Sequence, residues 1–143
     1  MESSIKHFGQ VDILVNNAGM QHIRTVEDFE EDMWEKVVSL NLSSNFYTIK
    51  YALPQMKKRG WGRIINISSV HGLVASVNKS AYVAAKHGLV GLTRSVALEN
   101  AKAGVTCNAI CPGWVMTPLI QKQIEIKAEA NKTSVEEATR ILI

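Results

Sequence analysis

The 143-residue sequence is poor in the residues that mark special classes of protein. Its two cysteines, Cys107 and Cys111, share one apolar segment and have no second Cys/His group to join. That excludes a disulfide framework and a cysteine zinc site, and it points to a reducing, cytoplasmic setting. With three prolines and nine glycines, collagen-like and Pro/Gly low-complexity chains are excluded as well. No apolar run approaches the roughly 18 residues of a membrane span. The start, MESSIKHFGQ, lacks the apolar stretch of a secretory signal. Charge of one sign is also missing: 16 Lys and Arg against 13 Asp and Glu leave a net +3, and only Lys57, Lys58 and Arg59 cluster. Nucleic acid and anionic membranes are therefore not expected partners, and no metal site is expected. What is present, 46% hydrophobic and 20% charged residues at a mean hydropathy of zero, suits a soluble globular chain with one core.

Three short apolar runs have the length of strands: VDILV (11–15), RIINIS (63–68) and VTCNAIC (105–111). The first, continuously apolar, is expected to be buried on both faces. Helical spacing fills the gaps, from about Val26 to Lys58 and from Ser80 to Ala103, with Gly60 and Gly104 as stops. SSIKHF reads as a helix end closed by Gly9; a Gln/Lys/Glu-rich helix follows Pro118, and TSVEE (133–137) carries a capping-box pattern for another. Strands alternating with long helices imply parallel βαβ units with right-handed crossovers, because a parallel pair cannot be joined by a tight turn. The fold class is α/β with a doubly wound parallel sheet. Such sheets bind ligands beyond the carboxyl ends of their strands. Attention therefore falls on the residues after Val15, after Ile67 and after Cys111.

Asn16-Asn17-Ala18-Gly19, Ser68-Ser69 and Cys111-Pro112-Gly113-Trp114 occupy those three places. Each alone is compatible with a simple turn; their shared position at one sheet edge is what suggests a site. A sharper signal is Tyr82-Val83-Ala84-Ala85-Lys86 at a helix start, since residues four apart face the same way. A phenol is an acid of pKa about 10 whose ionised form a nearby cation favours. A phenol so placed can take a proton from an alcohol or return one to a carbonyl. Ser69, thirteen residues before Tyr82, could bond the same substrate oxygen.

NNAG (16–19), Asn41 in LNLSS, INISS ending at Ser69, Tyr82-x-x-x-Lys86 and PGWVMTP from Pro112 together resemble the short-chain dehydrogenase/reductase family, over essentially the whole chain. The resemblance implies a Rossmann-like fold and hydride transfer with NAD. It assigns Tyr82 as acid/base, Ser69 as its partner on the substrate oxygen, Lys86 as the cation and a ligand of the nicotinamide ribose, and Asn41 as the residue positioning a water beside Lys86. It also implies cofactor contacts from Asn17, Ala18, Gly19, Pro112, Gly113, Val115 and Thr117.

NNAGMQH, SSVHGLVAS, KSAYVAAKHGLVGLT and CNAICPGWVMTPLIQKQI are similar to the bacterial members that interconvert (R)-3-hydroxybutyrate and acetoacetate. In that group Gln21, His71, Lys79 and Gln123 match ligands of the substrate carboxylate, and Trp114 closes over the pocket. These residue types offer amide donors and positive charge, which a carboxylate requires. Two other readings stand beside this one: a family reductase acting on 3-oxoacyl thioesters, and a non-catalytic chain that associates with full-length subunits. Family dimers or tetramers form through two long helices, here about 42–58 and 80–102. The resemblance makes residues 1–143 a partial Rossmann-like domain, strands four to six of the family sheet with their helices. The glycine-rich pyrophosphate loop and the acidic residue that selects the adenosine ribose have no counterpart in it. Weak NAD binding, impaired activity and an exposed edge on the first strand are the corresponding expectations.

Overall fold

The computed structural model describes residues 2–142, and of these the side chains of Glu2, Leu119, Gln123 and Leu142 lie outside the described residues. The chain divides into two compact units, Met1–Cys111 and Pro112–Ile143. No helix among the described residues is long and apolar enough to cross a membrane.

In the first unit, helix α1 (Glu2–Phe8) stops at Gly9, whose φ of +81° suits only a residue without Cβ. Strands β1 (Ile13–Asn16), β2 (Gly62–Ile67) and β3 (Val105–Ile110) form a parallel sheet in that order, with Val15 opposite Ile65 and Ile65 opposite Asn108. Helix α2 (Glu31–Val38), a π-turn over Ser39–Ser43 and helix α3 (Ser44–Arg59) connect β1 to β2; helix α4 (Ser80–Glu99) lies between β2 and β3. Ile49, Ala52 and Met56 of α3 and Val96 of α4 pack on Ile64, Val105 and Cys107 of the sheet, with Leu14 against them. Burying side chains of this size stabilises by about 1.5–3 kcal/mol each, so this cluster dominates the unit.

That core covers one face of the sheet. On the other, Ile13 and Val15 remain 56% and 54% exposed, so β1 is not buried on both faces as its continuous apolar run predicts. Both long helices of the unit lie on the Leu14 side, and β1 is an edge of the described sheet. The helical reading of 26–58 is also corrected. Residues 26–29 form a turn, closed by the Phe29 N–H on the Val26 carbonyl (3.4 Å) and braced by Thr25 Oγ1 donating to Asp28 Oδ2 (3.0 Å), and Phe29 packs edge-on to His22 and Trp34. Helix begins only at Glu31. Likewise α4 ends at Glu99 rather than at Ala103.

Polar side chains tie the layers together beneath the strand ends. Thr48 Oγ1 of α3 donates to Asn16 Oδ1 (2.7 Å), Asn16 Nδ2 to Asn66 Oδ1 (2.8 Å), and Asn66 Nδ2 to Thr93 Oγ1 of α4 (2.9 Å). At the opposite end of the sheet, Gly60 and Gly104 both have φ of +70°, and a Cβ on Gly104 would fall 1.9 Å from the Gly60 carbonyl oxygen. The turns preceding β2 and β3 thus touch backbone to backbone.

The second unit is a helical hairpin of α5 (Pro118–Asn131) and α6 (Val135–Leu142), held by Ile124, Ala128 and Ala138 with Ile120 beside them. Thr117 caps α5 by accepting from the Ile120 N–H (3.4 Å), with Pro118 in the first turn. Ser134 accepts from the Glu137 N–H (3.1 Å), the bond the TSVEE pattern predicts.

Candidate active site

The carboxyl end of β2 is stitched to the first turns of α4. Lys86, only 4% exposed, donates from Nζ to the Ile67 carbonyl (2.7 Å), and the buried Ser68 hydroxyl donates to the Lys86 carbonyl (3.2 Å). A Cβ on Gly72 would meet Ser68 Oγ at 2.6 Å and the Lys86 carbonyl at 2.9 Å, so the loop after β2 runs hard against the helix. Tyr82 lies one turn before Lys86, as the spacing predicts, with the ammonium 5.6 Å from its ring centroid. Burial holds Lys86 below the ordinary lysine range, partly offset by the nearby Cys111 thiol.

Ser69 lies two residues past the end of β2, and its Oγ accepts from the His71 N–H (3.1 Å), which leaves the hydroxyl proton for another acceptor. The His71 ring meets Tyr82 edge-to-face with centroids 6.2 Å apart, and its buried Nδ1 has no hydrogen-bond partner. Burial and then the Lys79 charge lower the His71 pKa, a bond with the Val74 backbone opposes them, and the His87 charge adds a smaller lowering. Burial also lowers Lys79. A neutral imidazole, with an ammonium that disfavours charging it, thus sits beside the tyrosine.

Asn41, fully buried in the π-turn, donates from Nδ2 to the carbonyls of Met20 (2.7 Å) and Val37 (2.8 Å). Its Oδ1 has no partner and lies 2.8 Å from where a Cβ on Gly19 would be, with Lys86 Nζ 3.7 Å from the same point. Gly19 of the NNAG loop therefore faces both Asn41 and Lys86. Beyond it, the Arg24 N–H donates to the Asn78 carbonyl (3.0 Å), which brings the Gln21 segment alongside the turn carrying Lys79. Asn78 adopts φ of +60° there, a left-handed conformation that asparagine tolerates better than most residues.

Of the residues expected from the sequence, Gly19, Asn41, Ser69, His71, Lys79, Tyr82 and Lys86 converge, with Asn17, Ala18 and Gln21 on the connected loop. Pro112, Gly113, Trp114, Val115 and Thr117 belong to the second unit, where the Thr117 hydroxyl caps α5. Gln123 lies in α5 with its side chain outside the described residues. Sequence reasoning missed Asn66 and Thr93. For Asn66 a signal existed: it alternates with Ile64 on the buried face of β2.

The sequence profile described as short chain dehydrogenase matches residues 1–128. The chain is 59% identical over 136 residues to the D-beta-hydroxybutyrate dehydrogenase of Cupriavidus necator, covering 95% of this chain and 53% of that protein. Identity is again 59%, over 130 residues, to the D-beta-hydroxybutyrate dehydrogenase of Rhizobium meliloti, covering 91% of this chain and 50% of that one. Among solved structures, acetoin dehydrogenase from Salmonella typhimurium superposes with a TM-score of 0.78 at 40% identity, covering 82% of this chain and 47% of that chain. A 4-hydroxyisoleucine dehydrogenase complexed with NADH also gives 0.78, at 34% identity, over 88% of this chain and 56% of that chain. The chain thus spans about half the length of the curated relatives it matches. It belongs to the short-chain dehydrogenase family.

Proposed function

We propose that this chain carries the catalytic segment of an NAD-dependent dehydrogenase that interconverts (R)-3-hydroxybutyrate and acetoacetate. The observation that carries the reading is His71 against the Tyr82 ring with the Lys79 charge acting on that imidazole, a donor pair for a carboxylate next to an acid/base. A thioester or simple alcohol substrate has no carboxylate to use it.

Tyr82 as phenolate takes the proton of the substrate C3 hydroxyl while the C3 hydride leaves, and as phenol returns it in the reverse direction; the Ser69 hydroxyl donates a hydrogen bond to that oxygen. Lys79 and the neutral His71 ring hold the carboxylate, with Gln21 on the adjoining loop. Fixing the carboxylate and the oxygen together sets which hydrogen of C3 is presented for transfer. A nicotinamide dinucleotide, when bound, supplies the hydride acceptor. The residues fit such a group: glycine at position 19 keeps the space between Asn41 Oδ1 and Lys86 Nζ open, and Lys86 spends one of its three donors on Ile67. Asn17, Ala18, Gly19, Tyr82 and Lys86 would hold it.

The test compares variants of this same chain, so that its absolute rate does not enter. Reduction of NAD by (R)-3-hydroxybutyrate is expected to fall about 100-fold or more in Tyr82→Phe, the usual range for a lost acid/base. Lys79→Ala is expected to raise KM by about 10- to 100-fold with little change in kcat, the loss of one charge-assisted hydrogen bond. An undiminished rate in Tyr82→Phe, or turnover confined to 3-oxoacyl thioesters, overturns the reading.

Association with further copies is part of the same proposal. An apolar groove runs between α3 and α4, floored by Phe46, Leu53, Pro54, Leu92 and Val96 and edged by Lys50 and Glu99. These are the helices through which the family resemblance implies dimers.

A further inference from the structure

Asn45 lies one turn beyond Asn41 and is 3% exposed, yet it belongs to none of the site motifs. Its Nδ2 donates to the Asn41 backbone carbonyl (3.0 Å) and more weakly to Ser44 Oγ (3.5 Å). The reason such a bond is needed lies in the π-turn. There the Ser44 N–H reaches back five residues to the Ser39 carbonyl, so the regular α ladder is interrupted. Side chains take over: Ser44 Oγ donates to the Leu40 carbonyl (2.6 Å), and Asn45 to the Asn41 carbonyl. Single π-turns are short of good backbone bonds, so these two side chains hold the turn in register.

The orientation of the Asn41 amide follows from its neighbours. Its Nδ2 faces two carbonyls, Met20 and Val37, and carbonyls only accept, so the amide cannot be turned over. Asn41 therefore offers two acceptors, its backbone carbonyl and its Oδ1. Asn45 donates to one of the two lone pairs of the first. The second is buried, without a partner, and directed at Gly19 and the Lys86 side of the site.

We propose that Asn45 is a positioning residue: by bonding the Asn41 carbonyl it locks the π-turn, and so holds the Asn41 side-chain oxygen toward Gly19 and the Lys86 ammonium. The group it would accept from is a hydroxyl donor held between the two. The proposal rests on the reading of Asn41 and Lys86 as site residues. Its test needs neither substrate nor cofactor, so failure of the dehydrogenase reading and failure of this one are distinguishable.

The experiment follows two NMR signals in the full chain: exchange of the Asn41 side-chain amide and the titration midpoint of Lys86 at its ε-carbon. Asn45→Leu keeps the volume and removes the donor. It is expected to speed exchange of the Asn41 amide at least tenfold and to move the Lys86 midpoint up toward the ordinary lysine range as water enters. Asn45→Ser is expected to restore both signals, since a serine hydroxyl can reach the carbonyl four residues back, as Ser44 does for Leu40. Asn100→Leu is the control for simple destabilisation: Asn100 is 2% exposed and makes the same type of bond to the Val96 carbonyl (2.7 Å) at the far end of α4. It is expected to lower Tm and leave both signals in place. If Asn45→Leu does not accumulate folded, Asn45→Ala is read instead. Parental signals in the donor-less variant, no rescue by serine, or an equal effect from Asn100→Leu overturns the proposal.

Discussion

His71 is the side chain at which the chemistry of the site touches the stability of the fold. Burial and the Lys79 charge favour its neutral form in the folded chain. The unfolded chain, with histidine near its ordinary value of about 6.5, takes up a proton first as pH falls. The folded state therefore keeps its full stability above about pH 6.5 and loses some of it below, until the folded ring is protonated too. Tm measured from about pH 5 to 8 is expected to decline toward acid, and His71→Gln to flatten that decline; parallel curves for the two proteins count against the burial argument. Cys107 behaves in the opposite sense. Burial pushes its thiol up to about 11, against a smaller lowering from Asn66, so it stays protonated and acts as core.

Among the elements, the two turns before β2 and β3 set the most stringent steric demand. Alanine at Gly104 would have to adopt a left-handed conformation, at a cost of about 1–2 kcal/mol, and would also strike the Gly60 carbonyl. A loss above about 2 kcal/mol is expected for Gly104→Ala in urea unfolding. Gly91, exposed in α4 with nothing near its Cβ position, is the contrast: Gly91→Ala is expected to gain up to about 1 kcal/mol. Equal effects at the two positions would refute the argument. The element pattern was legible from the sequence wherever apolar periodicity and glycine stops agree, which is why the strands fall within a residue or two of their predicted bounds. It misled at 26–30, where Val26 and Phe29 mimic helical spacing but Thr25 and Asp28 brace a turn. It was silent on the π-turn, because one inserted residue leaves no mark in composition. Asn45 and Thr93 escaped for a related reason: periodicity treats polar residues as solvent-facing, whereas these are buried and paired with carbonyls and side chains. Tyr82, Lys86, Ser69 and Asn41 were legible because helix spacing and strand ends fix their places directly.

At the scale of the molecule, the described sheet is covered on the α3/α4 face, while Ile13, Val15 and Ile110 lie half exposed or more on the other. Apolar side chains on an edge strand such as β1 favour association. Two apolar surfaces can then bring copies together, and one substitution tests the α3/α4 groove. Phe46 lines the α3/α4 groove and is largely exposed, so Phe46→Glu is expected to lower the mass of the soluble species in sedimentation if the helices form the contact. An unchanged mass counts against the α3/α4 groove as a contact between copies. The π-turn has a molecular consequence of its own. Each residue of an α-helix advances the next by about 100° around the axis. The π-turn therefore sets the angular phase between Asn41, which serves the site, and Ile49, Ala52 and Met56, which serve the core. Removing a single residue between 39 and 43 would not merely shorten a loop. It would rotate one of these two faces away from its partner, so this short segment admits substitution far more readily than any change of length.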